Sequence, residues 1–340
     1  MYLPPRNRDP FIMNAPPVGD LVLHTADLRD TLDEEGPRWS RWVDAICEGM
    51  LYRGRFIQVV GHPVDIGTLR RFDAASDQLL VDLPEEVLRQ FVTDKFQRGY
   101  GPRGAEHSRD NPLGDHKRYW MTRLEEWPKD PADCPFGPNV WPDDLVPAYR
   151  PIALEVMGHS VAIGRKVLRA LEDGFSRPKG SLVDDTYGAE TIQRDLTYDP
   201  QTGAPPPDTW RSSPHEDINK VTVMPAATDD AQESRPDEEI EAADGLDILV
   251  DGKWYRAVYR ANAVVVDTGE MIGLVPGFES VDATTHRVRN PPADLAGRRR
   301  RSRPTFVHGR HSSMLYPGGQ PVLYRDVFLG RIAEITGSPV

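Results

Sequence analysis

A chain of 340 residues, 39% of them hydrophobic, can fill a sizeable core as one large domain or two ordinary ones. Its 41 Lys and Arg against 53 Asp and Glu leave a formal net charge of -12, which works against phosphate backbones and anionic membranes and excludes nucleic acid as a general partner. No run approaches the roughly 18–20 apolar residues of a membrane span, and the opening MYLPPRNRDP lacks the basic-then-apolar order of a secretory signal, so a cytoplasmic location is expected.

Residues 1–20 are rich in Pro and Asn without periodicity, and a loose N-terminal segment is expected there. From about 36 to 53, Trp39, Trp42, Val43, Ile46, Met50 and Leu51 fall at helical spacings, and a strand follows from Arg55 to Val60, ended by Gly61-His62-Pro63. Further helices are expected near 66–80, on Leu69, Phe72, Leu79 and Leu80, and over about 146–173, on Ile152, Leu154, Val161, Ile163, Val167, Leu168 and Leu171. The stretch 21–184 therefore reads as a frame of helices and strand.

Beyond 185 the texture changes to short strand-like pieces separated by turns, the spacing of a sandwich or barrel. The clearest hairpin is GLDILVDGKWYRAV, where Asp251-Gly252 supplies the positive φ that a two-residue turn needs. Two loops interrupt the pattern: QTGAPPPDTWRSS at 201–213, and an acidic insertion at 228–243 with almost nothing to bury. The segment YRDVFLGRIAEITG near the end is expected to form a helix closing one end of the barrel. The chain thus divides into 1–20, a wrapping region at 21–184, a core at 185–310 and a C-terminal helix at 311–340, one catalytic domain in all. The 32 Pro and 28 Gly exceed the usual combined share of about 12% and suit so many turns.

Two cysteines, Cys47 and Cys134, exclude a disulfide framework and a zinc-cysteine site but leave room for one bridge. Any metal must therefore rest on His and carboxylate. His215-Glu216-Asp217 sets an imidazole and a carboxylate two residues apart, on one face of an extended strand. Taken alone, the pair is as readily a solvated strand end. His286, 69 residues later, completes two His and one carboxylate, the facial set that leaves three adjacent positions open on Fe(II). His62 reads as a turn residue, His107, His116, His308 and His311 as surface or packing residues, and Trp120 and Met121 as core or pocket wall.

A series of short motifs runs through the chain in order: Arg98-Gly99-Tyr100-Gly101-Pro102 reaching Glu106, PNVWP at 138–142, TYDP at 197–200, the H-x-D, GLDILVDGKW at 245–254, VVDTGEM at 265–271, THRVRNP around His286, and R-x-S-x-P-x-F at Arg300, Ser302, Pro304 and Phe306. In this order they resemble the isopenicillin N synthase-like branch of the Fe(II)- and 2-oxoglutarate-dependent dioxygenases, over most of the chain. The resemblance implies a mainly β fold with flanking helices around a double-stranded β-helix, or jelly roll. It implies Fe(II) on His215, Asp217 and His286, 2-oxoglutarate and O2 as co-substrates, and Arg300 with Ser302 gripping the far carboxylate of 2-oxoglutarate. A guanidinium fork and a hydroxyl suit that task. Within the basic run 298–301, Arg299 and Arg301 remain alternatives to Arg300, and a solvated basic loop is the structural one.

The sequence departs from the family where a Tyr commonly precedes the Pro of the strand before the H-x-D: Asp199 stands there, with Tyr198 one place earlier. Strand alternation then suggests Tyr198 in the core and Thr197 as the co-substrate donor. The activity implied is hydroxylation, desaturation or cyclisation of a small molecule, a natural-product or modified amino-acid intermediate, and that small molecule is the one partner expected. An oxidase of the same branch that does without 2-oxoglutarate, a non-catalytic jelly-roll binding protein and a zinc hydrolase on the same three ligands are the alternatives. For the last, Glu216 is the one obvious base, and it should point away from the metal.

Overall fold

The computed structural model describes residues 10–52, 55–93, 96–105, 115–126, 133–201, 203, 209–230 and 245–336. The acidic insertion from 231 onward, most of the triple-proline loop, Glu106 and His107 lie outside the described residues.

Helix Gly36–Tyr52 forms where apolar residues recur at helical spacing, and it buries Trp39, Trp42, Ile46 and Met50. Its partner is Tyr149–Gly174, 26 residues long, which buries Ile163, Val167, Leu168 and Leu171 against it. Burial of side chains this size stabilises by about 1.5–3 kcal/mol each. Two indole N–H groups also find acceptors across the helix pair: Trp39 Nε1 donates to Asp173 Oδ2 at 2.7 Å and Trp42 Nε1 to the Lys166 carbonyl at 3.2 Å. Helix Ile66–Asp77 starts at Asp65, whose carboxylate accepts the Thr68 N–H, and runs into a wider π turn at Gln78–Asp82.

The long helix lies against the barrel at Gly164. A Cβ there would stand 2.9 Å from Val307 Cγ2 and 3.1 Å from Val223 Cγ2, so no side chain fits between helix and sheet. Gly164→Val is expected to lower the stability read from urea unfolding by about 1–3 kcal/mol, with His215, Asp217 and His286 untouched.

Two sheets form the core. The smaller runs Asp20–Val22, Lys253–Val258, Leu246–Val250, His286–Val288 and Ser212–His215. The larger runs His24–Asp27, Phe56–Val60, Val264–Thr268, Val221–Pro225, Thr305–Val307, Ile192–Tyr198, Arg300–Ser302 and Thr228–Asp229, with Arg118–Arg123 also pairing along Ile192–Tyr198. Leu246 and Ile248 of one sheet meet Phe56 and Val265 of the other in a shared apolar layer. This is the jelly roll expected, wrapped by helices. The hairpin turns at Asp251 and Gly252, with φ of 48° and 74°. Pro304, which has no N–H, divides the strand that would otherwise join Arg300–Ser302 to Thr305–Val307.

The N-terminal end differs from expectation. Trp254 Nε1 donates to the Ile12 carbonyl at 2.7 Å, and Arg287 donates to the carbonyls of Met13 and Ala15 at 2.8 Å each. Asp20–Val22 then pairs in parallel with Lys253–Val258. Residues 12–20 are thus tied down and not loose, because distant side chains and a sheet edge satisfy a backbone that has no periodicity of its own. Cys47 and Cys134 are both free thiols. Among the described residues no helix is long and apolar enough to cross a membrane.

Candidate metal centre and its cavity

Strands Ser212–His215 and His286–Val288 pair antiparallel with His286 opposite His215, so residues 71 apart in sequence become neighbours. Asp217 follows in the turn beyond the first strand. One ligand atom from each of His215, Asp217 and His286 lies within 4.8 Å of the others, and the two imidazole centroids are 4.4 Å apart. His215 Nδ1 faces the Ser213 carbonyl at 2.6 Å and His286 Nδ1 the Thr284 carbonyl at 3.0 Å. If each Nδ1 carries the proton, each Nε2 lone pair is left for a metal. Burial, and next the adjacent His286 ring, push the His215 imidazole down to about 3, which keeps it the neutral ligand that a cation requires. Thr222 Oγ1 donates to Asp217 Oδ2 and in turn accepts from Asn219 Nδ2 at 2.8 Å. Two imidazole nitrogens and one oriented carboxylate fit Fe(II) as a facial donor set.

Glu216 borders the same cavity but lies outside the donor cluster, its carboxylate taken by Thr285 Oγ1 at 2.7 Å. Behind His286 stands Asp267, wholly buried, with Oδ2 3.7 Å from Nδ1. Burial, then the Asp217 carboxylate, push the Asp267 carboxyl well above its ordinary range.

His215 is held by a second network that sequence reasoning missed. Asp115 Oδ1 accepts from both the backbone N–H and the hydroxyl of Ser213, at 3.0 and 2.8 Å, and Ser213 is the residue whose carbonyl orients the imidazole. Lys117 Nζ balances the carboxylate at 2.8 Å from Asp115 Oδ2 and reaches Ser212 Oγ at 3.3 Å. Asp115→Ala is expected to weaken metal binding by roughly 10–100-fold, the usual cost of losing a group that orients a ligand, measured by competition for Mn(II) with a chromophoric chelator.

Strand alternation places the co-substrate candidates. Arg300 and Ser302 border the cavity, and the Arg300 guanidinium carbon stands 5.4 Å from the Tyr198 ring centroid. Arg301 turns the opposite way, its fork on the Asp77 carboxylate, Nη2 also 3.0 Å from Asp230 Oδ1, and Arg303 pairs with Asp73 and Asp195. Arg299 faces Asp199 and Asp230 at 4.0 and 3.8 Å. Ile192, Arg194, Leu196 and Tyr198 share the cavity side of their strand, so the expectation for Thr197 is corrected: it is fully buried on the opposite side, and Tyr198 takes the wall position. Asp199 displaces the register by one place and is itself occupied by Arg103 and by Arg118 at 2.7 Å.

The rest of the cavity is largely apolar. Phe306 comes from the strand after Ser302, and Phe328, Ile332 and Ile335 from helix Tyr324–Thr336, which lies over this end of the barrel. Arg331 of that helix bridges Glu270 and Glu334 at the wall. His308, read as a surface or packing residue, is buried and also borders the cavity, its Nδ1 2.9 Å from the Tyr324 hydroxyl. Trp120 and Met121 are core.

The family described as "non-haem dioxygenase in morphine synthesis N-terminal" matches residues 23–144. The 2-oxoglutarate-dependent dioxygenase traH of Penicillium crustosum is 29% identical over 306 residues, covering 85% of each chain. Flavonol synthase 1 of Crocosmia x crocosmiiflora is 23% identical over 68% of this chain and 63% of its own. Among solved structures, a 2OG-Fe(II) oxygenase family protein from Caulobacter crescentus superposes with a TM-score of 0.73 at 21% identity, over 92% of this chain and 98% of that one, a likeness of fold. The ordered motifs, the jelly roll and the clustered donors agree with these likenesses, which point to an enzyme of the Fe(II)- and 2-oxoglutarate-dependent dioxygenase type.

Proposed function

We propose that this enzyme oxidises a small, mainly apolar natural-product or modified amino-acid intermediate, with His215, Asp217 and His286 holding the iron and Arg300, Ser302 and Tyr198 holding 2-oxoglutarate. The observation that carries the reading is one cavity bordered at once by the three metal-donor residues, the Arg300–Ser302 pair and an apolar wall. Bound there, Fe(II) and 2-oxoglutarate supply an oxidant from O2, with succinate and carbon dioxide as by-products. The chain's own residues do the rest. The two backbone carbonyls fix the imidazoles, the Arg300 guanidinium sets the co-substrate's direction, and Phe306, Phe328 and Ile332 exclude water and hold the target carbon. Where that carbon is held decides between hydroxylation, desaturation and cyclisation. A cytoplasmic setting belongs to the same proposal and agrees with two unbridged thiols.

The test is succinate formation by the iron-reconstituted enzyme against a panel of ring-bearing small molecules, with and without 2-oxoglutarate. A substrate should raise succinate release and yield a product heavier by one oxygen or lighter by two hydrogens. Substrate oxidation that proceeds equally without 2-oxoglutarate would replace this reading with an oxidase.

A further inference from the structure

Arg211 immediately precedes the strand that carries His215, and it is only 4% exposed. Its Nη2 donates to the Arg298 carbonyl at 3.0 Å, while its Nε is buried without a hydrogen-bond partner. Among the described residues no carboxylate is in ion-pair contact with it. Its neighbours are treated differently: Arg289 is paired with Asp247, Arg298 lies 3.7 Å from Asp229, and Arg299 faces Asp199 and Asp230. A guanidinium cannot escape the cost of burial by losing its proton near neutral pH, so a buried one is normally matched by an anion. Here no described residue supplies that anion in direct contact.

The surroundings indicate what supplies it. Arg211 and Arg300 border one small cleft, and their guanidinium carbons stand 6.0 and 5.4 Å from the same Tyr198 ring. Burial, and next the like charge of Arg300, pull Arg211 down to about 10, the direction of a cation short of an anion. A carboxylate offers about four lone-pair sites, and one guanidinium fork takes two of them. A second donor can therefore share an anion held by the first.

We propose that Arg211 is a second binding residue for the far carboxylate of 2-oxoglutarate, acting beside Arg300. The proposal rests on the placement of that carboxylate at Arg300 and Ser302. It assigns a cation immediately before the strand of His215 to the co-substrate, so that one short segment serves both.

The experiment is isothermal titration of 2-oxoglutarate, and of 2-oxobutyrate, which lacks the far carboxylate, into the full chain loaded with Mn(II). Wild type is compared with Arg211→Gln, Arg211→Lys and Arg300→Gln, after Mn(II) affinity and the thermal midpoint have shown each variant to be folded. Arg211→Gln is expected to weaken 2-oxoglutarate by about tenfold or more, the scale of a lost charge-assisted hydrogen bond. It should leave 2-oxobutyrate within about twofold, and Arg211→Lys should recover part of the loss through its retained charge. The proposal is overturned if Arg300→Gln weakens 2-oxoglutarate and Arg211→Gln does not. It is overturned equally if Arg211→Gln weakens both ligands alike, which would mark a structural role. If neither variant changes 2-oxoglutarate binding, the placement at Arg300 fails and the proposal with it.

Discussion

Asp217→Ala should abolish turnover and, more tellingly, metal retention. Asp217 is the one carboxylate among the three clustered donors, so its loss removes the negative charge that offsets part of the cation's own and leaves two neutral imidazoles. The damage extends past the missing bond. Thr222 Oγ1, which now donates to the Asp217 carboxylate and accepts from Asn219 Nδ2, would be left facing a void. Competition with a chromophoric chelator should show Mn(II) affinity falling well beyond the roughly 10–100-fold expected when an orienting residue is lost, and therefore well beyond Asp115→Ala. Retained affinity would refute the assignment of this ligand. Asp217→Glu is the stricter probe, since it keeps the charge but adds a methylene in a pocket closed by Thr222; binding should stay weak because position as well as charge is required.

Arg300→Ala should raise the 2-oxoglutarate dissociation constant by about 10–100-fold, the cost of one or two charge-assisted hydrogen bonds, while Mn(II) affinity holds within about twofold. The informative comparison is Arg301→Ala. Arg301 is the neighbour one place along, but its guanidinium is engaged by Asp77 and Asp230. Its removal leaves those carboxylates without their partner, and should lower stability with little change in co-substrate affinity. An affinity loss on Arg301→Ala, with Arg300→Ala silent, would move the co-substrate to the other face of the strand. At saturating 2-oxoglutarate the Arg300→Ala enzyme should recover much of its kcat, since the interaction is one of binding and direction.

Some of the site was legible because its residues are close in sequence or their order is distinctive. His215 and Asp217 form a two-residue motif, and the S-x-P-x-F run placed Arg300 on the cavity side even though four arginines are consecutive. Strand parity failed one place away. Counting back from Pro200 selects Thr197, yet the cavity side of that strand is set by its pairing with Arg118–Arg123 and Arg300–Ser302, and that pairing puts Tyr198 inward. Asp115 was invisible for another reason. Its value lies in the backbone N–H and hydroxyl of Ser213, 98 residues away, and no local pattern marks a carboxylate for a distant amide.

By itself the sequence determined the helices and strands, the hairpin at Asp251-Gly252, the three candidate donors and the order of motifs that carries the family resemblance. These follow from periodicity, turn chemistry and residue type, all local properties of the chain. Only the tertiary structure decided which face each residue presents and which distant groups meet. It set His286 opposite His215, turned Arg301 away from the cavity, tied residues 12–20 to Trp254 and Arg287, and brought the C-terminal helix over the cavity with Phe328 and Ile332. The physical reason is that burial and hydrogen-bond satisfaction are settled between segments: a side chain such as Arg211 shows what it lacks only when its neighbours in space are known.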